Sequence, residues 1–110
     1  MLLSTDVWVS ALIRRVELAG GFATVARKGD PRAGAVIVKV LDRESGAVRL
    51  YGEAFRADGE RVWMHPATGD SEAELDQYLE RAARVDPDLW VVEIEDRQGR
   101  HFLTEAVDES

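Results

Sequence analysis

The chain has 110 residues, of which 45% are hydrophobic and 32% are charged, a composition typical of one globular domain with a modest core. The absence of cysteine excludes a disulfide framework, cysteine-ligated zinc and thiol catalysis, and it favours a cytoplasmic location. The net charge of -7 argues against nucleic acid as a partner. Because we find neither a signal peptide nor an apolar run of membrane-spanning length, we expect no association with a membrane.

The first predicted element is an amphipathic helix over residues 6–19. Apolar residues recur there at helical spacing, Thr5 or Asp6 is placed to cap the start, and the Gly20-Gly21 pair ends the pattern. A short strand at residues 7–9 is the alternative interpretation.

Four strands follow in the prediction, over residues 22–28, 34–42, 47–55 and 61–65. Loop 27–34 joins the first two, and we interpret it as a hairpin connection because Asp30-Pro31 starts a turn and the flanking glycines allow unusual backbone angles. Asp58-Gly59 predicts a second hairpin, between the last two of these strands.

A second helix is predicted from the Ser71–Glu74 capping box to about Asp86, where the following proline stops it. Its apolar stripe consists of Leu75, Tyr78, Leu79 and Ala82. The last clear strand covers residues 89–95, a turn follows at 96–99, and residues 101–103 are a candidate for a short return strand. The acidic tail, residues 104–110, is predicted to be frayed.

Together these elements predict a single α+β domain over residues 1–110, in the order α-β-β-β-β-α-β. We expect a mainly antiparallel sheet of five to six strands that carries two helices.

Three segments of the chain resemble a known family. They are Leu12-Ile13-Arg14-Arg15 to Leu18-Ala19-Gly20, Arg27-Lys28-Gly29-Asp30-Pro31 to Lys39-Val40, and Asp86-Pro87-Asp88-Leu89-Trp90 to Arg97. On these segments the chain resembles the bacterial, chiefly alphaproteobacterial, family known as domain of unknown function 1491. The resemblance covers nearly the whole chain and implies a short single-domain cytoplasmic protein. It implies no activity, cofactor or catalytic residue.

Loop 27–34 is a candidate anion site. Its candidate binding residues are Arg27, Lys28, Gly29, Arg32 and Gly34. Three cations beside glycine-rich backbone can enclose a phosphate or another anion. A P-loop is excluded, because Ala35-Val36 stands where Lys-Ser or Lys-Thr is required and a strand follows instead of a helix. The alternative is a connecting loop whose charges are solvated.

Aromatic residues of the third and fourth strands are candidates for an interface with a partner. The interface candidates are Trp63, Tyr51 and His65. Aromatic side chains anchor many interfaces, and Trp63 is predicted to be partly exposed because polar residues flank it. The alternative is that Trp63 packs under a helix.

The remaining polar residues indicate neither a metal site nor a catalytic centre. His65, His101, Glu93 and Glu95 match no recognised ligand spacing, and no serine lies on a nucleophile elbow. We therefore predict no metal and no cofactor.

Lys39 interrupts the most apolar predicted strand. A partly buried lysine can have a depressed pKa suited to imine or base chemistry. Alternation gives a simpler interpretation, in which Lys39 lies on the face opposite Val38 and Val40, a helix edge or a partner covers its stem, and its ammonium reaches water.

The sequence alone does not specify a function. We predict a small interaction module without catalytic activity, which binds a protein partner or a second copy of itself. The alternative is a binder of, or an enzyme acting on, an anionic small molecule or nucleotide at loop 27–34. Convergence of the loop cations in a concave pocket would favour this alternative, and their dispersal over a convex loop would favour the module.

Overall fold

A computed structural model describes residues 3–69 and 71–109, which form two helices and six strands. In chain order these are α1 (Thr5–Leu18), β1 (Phe22–Arg27), β2 (Val36–Asp42), β3 (Val48–Phe55), β4 (Arg61–Met64), α2 (Glu72–Val85), β5 (Trp90–Asp96) and β6 (Val107–Asp108). The strands make one sheet in the order β1-β5-β2-β3-β4-β6. The sheet is mostly antiparallel, with parallel pairing of β2 with β5 and of β4 with β6. The predicted fold class and element order are thereby confirmed.

Parts of three predicted segments lie outside the described residues. They are Met1 and Leu2 at the N-terminus, Asp70 in the loop before the second helix, and Ser110 in the tail. Within residues 3–69 and 71–109, no helix is long and apolar enough to cross a membrane.

Strand β5 lies between β1 and β2, so the predicted hairpin of these two strands is wrong. β5 pairs antiparallel with β1 and parallel with β2. Both faces of β5 are covered, because Trp90, Val91, Val92 and Ile94 are all buried, as is usual for a central strand. The turn signals in loop 27–34 are local, and they carry no information about a strand that comes much later in the chain.

Each face of the sheet is covered by one helix. Helix α1 packs Trp8, Leu12 and Val16 into the core on one face. Helix α2 covers the other face with Leu75, whose buried companions in the same cluster are Ile37, Leu50, Leu89 and Val91. Because side chains alternate between the faces of a strand, the apolar strands serve both cores at once.

The two helices begin in different ways. Ser71 accepts a hydrogen bond from the Glu74 amide at 3.3 Å, so the predicted cap of α2 is confirmed. Helix α1 begins at Thr5, and the capping position belongs to Ser4 instead of Thr5 or Asp6.

The prediction of a frayed tail is wrong for residues 104–109. Val107 and Asp108 form β6, which pairs with β4, and the Ala106 carbonyl accepts a hydrogen bond from the Trp63 amide at 2.9 Å. The predicted return strand at 101–103 does not form; Leu103 is instead buried in the α1-side core. The tail is ordered because it covers apolar surface and supplies hydrogen-bond partners to the outer edge of β4.

Candidate functional site

Loop 27–34 is built into the surrounding structure by its backbone. The Asp30 amide donates to the Asp88 carbonyl at 3.0 Å, and the Gly34 amide donates to the Asp30 carbonyl at 3.2 Å. The Trp90 indole also donates to the Asp30 carbonyl, at 2.7 Å. The Asp30 carboxylate accepts from the Ala33 amide at 2.9 Å. Several amides that an anion would need are therefore already used inside the protein.

The same loop satisfies the first amides of α1. The Thr5 amide donates to the Arg32 carbonyl at 3.1 Å, and the Asp6 amide donates to the Pro31 carbonyl at 2.9 Å. Free amides at a helix start need such acceptors. The loop thus closes the N-terminal end of the helix with its own carbonyls.

Gly29 and Gly34 are required by close packing. A Cβ atom at either position would collide with the Asp88 carbonyl and the Trp90 ring. Their small size lets the loop pass directly over the start of β5. This role is structural and involves no anion.

The three cations of the loop take different positions. Arg27 Nη2 donates to the Pro87 carbonyl at 3.1 Å, and its Nε is buried without a hydrogen-bond partner among the described residues. Lys28 and Arg32 are exposed. Arg27 lines a groove beside α2, and Lys28 and Arg32 are not part of that lining. This arrangement gives the anion hypothesis no support, and the hypothesis stays a prediction.

Trp63 is completely buried, with 0% of its surface exposed, so the prediction that it is partly exposed is wrong. Its ring stacks on Trp8 at a centroid distance of 5.4 Å. Its indole donates to Glu105 Oε1 at 2.9 Å. Helix α1 and the ordered tail cover Trp63, and neither contact is visible in the alternation of a single strand.

Tyr51 and His65 also lie inside the structure. Tyr51 is buried, which raises the pKa of its phenol, and the rings of His65 and His101 lie 4.9 Å and 5.1 Å from it. His65 Nδ1 is 2.9 Å from the Leu50 carbonyl and Nε2 is 2.7 Å from Glu109 Oε1. With these contacts the two residues hold the tail against the sheet.

The histidines and glutamates considered for a metal are separated in space. Burial lowers the pKa of His101, and its Nδ1 accepts a hydrogen bond from the Leu103 amide at 2.9 Å. Both histidine rings pack against Tyr51 on β3, whereas Glu93 and Glu95 lie on β5, two strands away in the sheet. In the part of the chain that the structure describes, no group of three or more His, Asp or Glu residues is placed to hold a metal ion.

Strand β1 is an edge of the sheet, and most of it is exposed. In the described chain it pairs with β5 alone. Phe22 is 57% exposed and Val25 is 40% exposed, whereas Ala23 is buried. We refer to the outward side of residues 22–27 as the β1 edge. Such an edge presents backbone N–H and C=O groups that can pair with another strand.

The carboxylate groove lies between the β1 edge and α2. It has a volume of about 510 Å³ and is lined by Ala26, Arg27, Lys39, Glu72, Asp76, Leu79, Glu80, Ala83, Val91 and Glu93. Strands β1, β5 and β2 form its floor, and α2 forms its wall. Four carboxylates and two cations line it, so the groove is acidic on balance.

Lys39 ties α2 to the floor of this groove. Its Nζ is 2.6 Å from Glu72 Oε2 and 2.7 Å from Asp76 Oδ1, and the residue is 5% exposed. Burial by itself lowers the pKa of Lys39, but the hydrogen bonds that its ammonium donates to Asp76 and Glu72 outweigh this effect and raise the pKa above its usual value. The face predicted for Lys39 is therefore correct, while its ammonium binds two carboxylates instead of reaching open water.

Sequence reasoning missed both the β1 edge and the carboxylate groove. Part of the signal was present, because Glu72, Asp76 and Glu80 recur every fourth residue and so share one side of a helix. The other part was hidden, because the position of β1 at the edge depends on the insertion of β5.

Comparison with known proteins assigns the chain to a family. The model of the family described as "Protein of unknown function (DUF1491)" matches residues 3–104. The chain belongs to the DUF1491 family. The resemblance noted in the sequence is thereby confirmed.

Three solved structures of similar proteins have the same fold. A crystal structure of a DUF1491 family protein from Caulobacter crescentus CB15 is 69% identical, with a TM-score of 0.94 over 97% of this chain and 100% of that one. An NMR structure of a DUF1491 family protein from the same organism is also 69% identical, with a TM-score of 0.92 over 98% of each chain. The solution structure of protein Atu0922 from A. tumefaciens is 39% identical, with a TM-score of 0.81 over 100% of each chain. A search of curated proteins found no match.

Proposed function

We propose that this DUF1491 protein is a non-catalytic interaction module that binds an extended segment of a partner protein along the β1 edge. The observation that carries the proposal is the exposure of β1 at the end of the sheet, beside a groove that the neighbouring helix leaves open. A strand added to such an edge gains backbone hydrogen bonds, and side-chain pockets next to the edge supply specificity.

The two edges of the described sheet differ in a way that supports this choice. At one edge, the two-residue β6 and the rest of the tail cover β4. At the other, β1 has six residues, enough for a strand of ordinary length to pair with it. A long exposed edge is a liability for a protein that does not use it.

The contacts of the polar residues also favour a module without catalysis. Lys39, His65 and the carboxylate of Asp96 all bind groups of the protein itself. The cysteine-free sequence and the bacterial relatives fit an interaction in the bacterial cytoplasm.

Photo-cross-linking in bacterial cells tests the proposal. A benzophenone amino acid replaces Thr24 on the β1 edge in one variant and Ala57 in the β3–β4 turn in the control. Both positions are exposed. We expect a discrete adduct from position 24 that is absent from position 57, with the cross-linked partner peptide identified by mass spectrometry. The same adducts from both positions, or none from position 24, would contradict the proposal.

A further inference from the structure

We infer that the segment bound at the β1 edge is basic, with Lys or Arg side chains on the face that looks toward α2 and apolar side chains on the other face. This inference rests on the proposed function. It follows from the side chains that an added strand would meet on each face of the sheet.

The α2 face beside β1 is lined by carboxylates. Phe22 of β1 is opposite Glu95 of β5, and Thr24 is opposite Glu93. Cross-strand partners share one face, and Glu93 lies beside Lys39, which contacts α2. On this face, the side chains of an added strand would therefore point across β1 toward Glu93 and Glu95 of β5, and Glu80 of α2 lies in the same groove.

The distance between an added strand and β5 favours long side chains in the bound segment. Neighbouring strands lie about 4.8 Å apart, so an added strand is about 10 Å from β5. Short polar side chains cannot cross this gap, whereas Lys and Arg carry their charge at the end of a long flexible stem. A stem that passes over Thr24 would bring its charge to Glu93, and one that passes over Phe22 would bring its charge to Glu95.

The charge of Lys39 is already neutralised by Glu72 and Asp76. Arg27 lies at the end of β1, where it binds the Pro87 carbonyl. Arg27 keeps its positive charge there, but the four carboxylates of the lining outnumber its two cations, so the groove is negative on balance. A cationic partner complements it, and an anionic one would be repelled.

The α1 face presents apolar surface to the same strand. Val25 lies opposite Val92, which belongs to the α1-side core, and Val25 is 40% exposed. An apolar residue of the added strand would cover it. The bound segment thus alternates basic and apolar residues, since successive side chains of a strand point to opposite faces.

A second copy of the chain is the less favoured occupant. Each copy carries a net charge of -7, so their mutual repulsion opposes self-pairing.

Synthetic peptides test the chemistry of the occupant. The probes are a peptide of about nine residues that alternates Lys with Val, its Glu–Val counterpart, and a Lys–Val peptide interrupted by proline, which cannot form a continuous strand. Binding is measured by titration of the 15N-labelled protein at fixed ionic strength. We expect the uninterrupted Lys–Val peptide alone to bind, with amide shifts concentrated in residues 22–27.

Two double variants distinguish the effect of the groove carboxylates on peptide binding from the effect of the protein's overall charge. Glu80→Gln with Glu93→Gln should raise the Kd of the Lys–Val peptide about fivefold to tenfold. Glu17→Gln with Glu44→Gln removes the same charge at exposed positions outside the lining of the groove and should change the Kd less than about twofold.

Four results would overturn the basic occupant, and the first three concern the peptides. These three are equal binding of the Glu–Val peptide, no binding of the Lys–Val peptide at millimolar concentration, and equal loss in both double variants. A protein dimer with residues 22–27 protected would assign the edge to a second copy and would also overturn it. If position 24 still cross-links a partner in cells, the proposed function stands and only the chemistry of the segment is wrong.

Discussion

Asp96 is a buried carboxylate at the end of β5, with 1% of its surface exposed. Arg100 donates to it from Nε at 3.0 Å and from Nη2 at 2.8 Å. The amides of Gln98 and Arg100 donate to it as well, at 3.1 Å and 2.8 Å. The hydrogen bond from the Arg100 side chain is the main reason that the pKa of Asp96 is lowered to about 2. The sequence predicted a turn here, but not the ion pair between the buried Asp96 and the partly exposed Arg100 that fixes it.

We expect Asp96→Asn to lower the free energy of unfolding by about 1–3 kcal/mol, because the Arg100 guanidinium and the amides of Gln98 and Arg100 lose their charged acceptor. Urea denaturation measures this. Asp96 has a lower pKa in the folded state than in the unfolded state, so the unfolded chain binds more protons at acidic pH. Its contribution is therefore present above about pH 4 and is lost as the pH falls toward 2.

The acid dependence provides a control for this prediction. The Asn variant should lose less stability than the wild type between about pH 4 and 2. Glu95→Gln, at an exposed neighbouring position, should keep the wild-type dependence of the free energy of unfolding on pH. If Asp96→Asn loses as much stability as the wild type between about pH 4 and 2, Asp96 is not the cause of the acid dependence.

At the scale of elements, the tail over residues 104–109 is part of the fold. The Ala106 carbonyl accepts a hydrogen bond from the Trp63 amide, and the Glu105 carboxylate accepts one from the Trp63 indole. Glu109 contacts His65. Deletion of residues 105–110 should lower the free energy of unfolding by about 2–4 kcal/mol, because two hydrogen bonds and the contacts of Val107 are lost. Urea denaturation and the tryptophan emission maximum measure the result, and we expect a red shift as Trp63 meets water.

A single substitution distinguishes the contribution of the tail's packing to stability from the contribution of the Glu105 charge. Glu105→Gln keeps a side-chain acceptor for the indole and should cost less than about 1 kcal/mol. If the deletion leaves stability and emission unchanged, the tail does not cover Trp63 in solution.

Local signals predicted most elements well. The Ser71 cap, the glycines after α1 and the Asp58-Gly59 turn act over a few residues, so a short window of sequence contains them. The tail was misjudged because its acidic composition resembles that of a disordered end. Its order depends on Leu103 and Val107, which pack against residues far away in the chain.

At the scale of the whole molecule, an anion bound by loop 27–34 would stabilise the entire fold. A ligand at one hundred times its Kd adds about 2.7 kcal/mol, which amounts to several degrees in Tm. Because several loop amides are used internally and the loop cations take different positions, we expect phosphate to raise the Tm no more than chloride does at equal ionic strength. Thermal unfolding measures both.

The double variant Arg27→Ala, Arg32→Ala is the control for this experiment. It should show the same small response to phosphate as the wild type. A larger, concentration-dependent rise in the wild type that disappears in the double variant would support the anion site and the alternative function.

The sequence by itself determined the α+β class, the order of the elements, the two helix faces and the side of β2 on which Lys39 lies. These follow from periodicity and from turn chemistry, which are properties of neighbouring residues. The tertiary structure alone decided that β5 separates β1 from β2, that Trp63 is buried, and that β1 is an edge beside the carboxylate groove. Strand order depends on contacts between distant segments, and no local pattern specifies which apolar strand takes the central position. The candidate site was therefore hidden from the sequence, because it is formed by β1, β5, β2 and α2, which come together only in the tertiary structure.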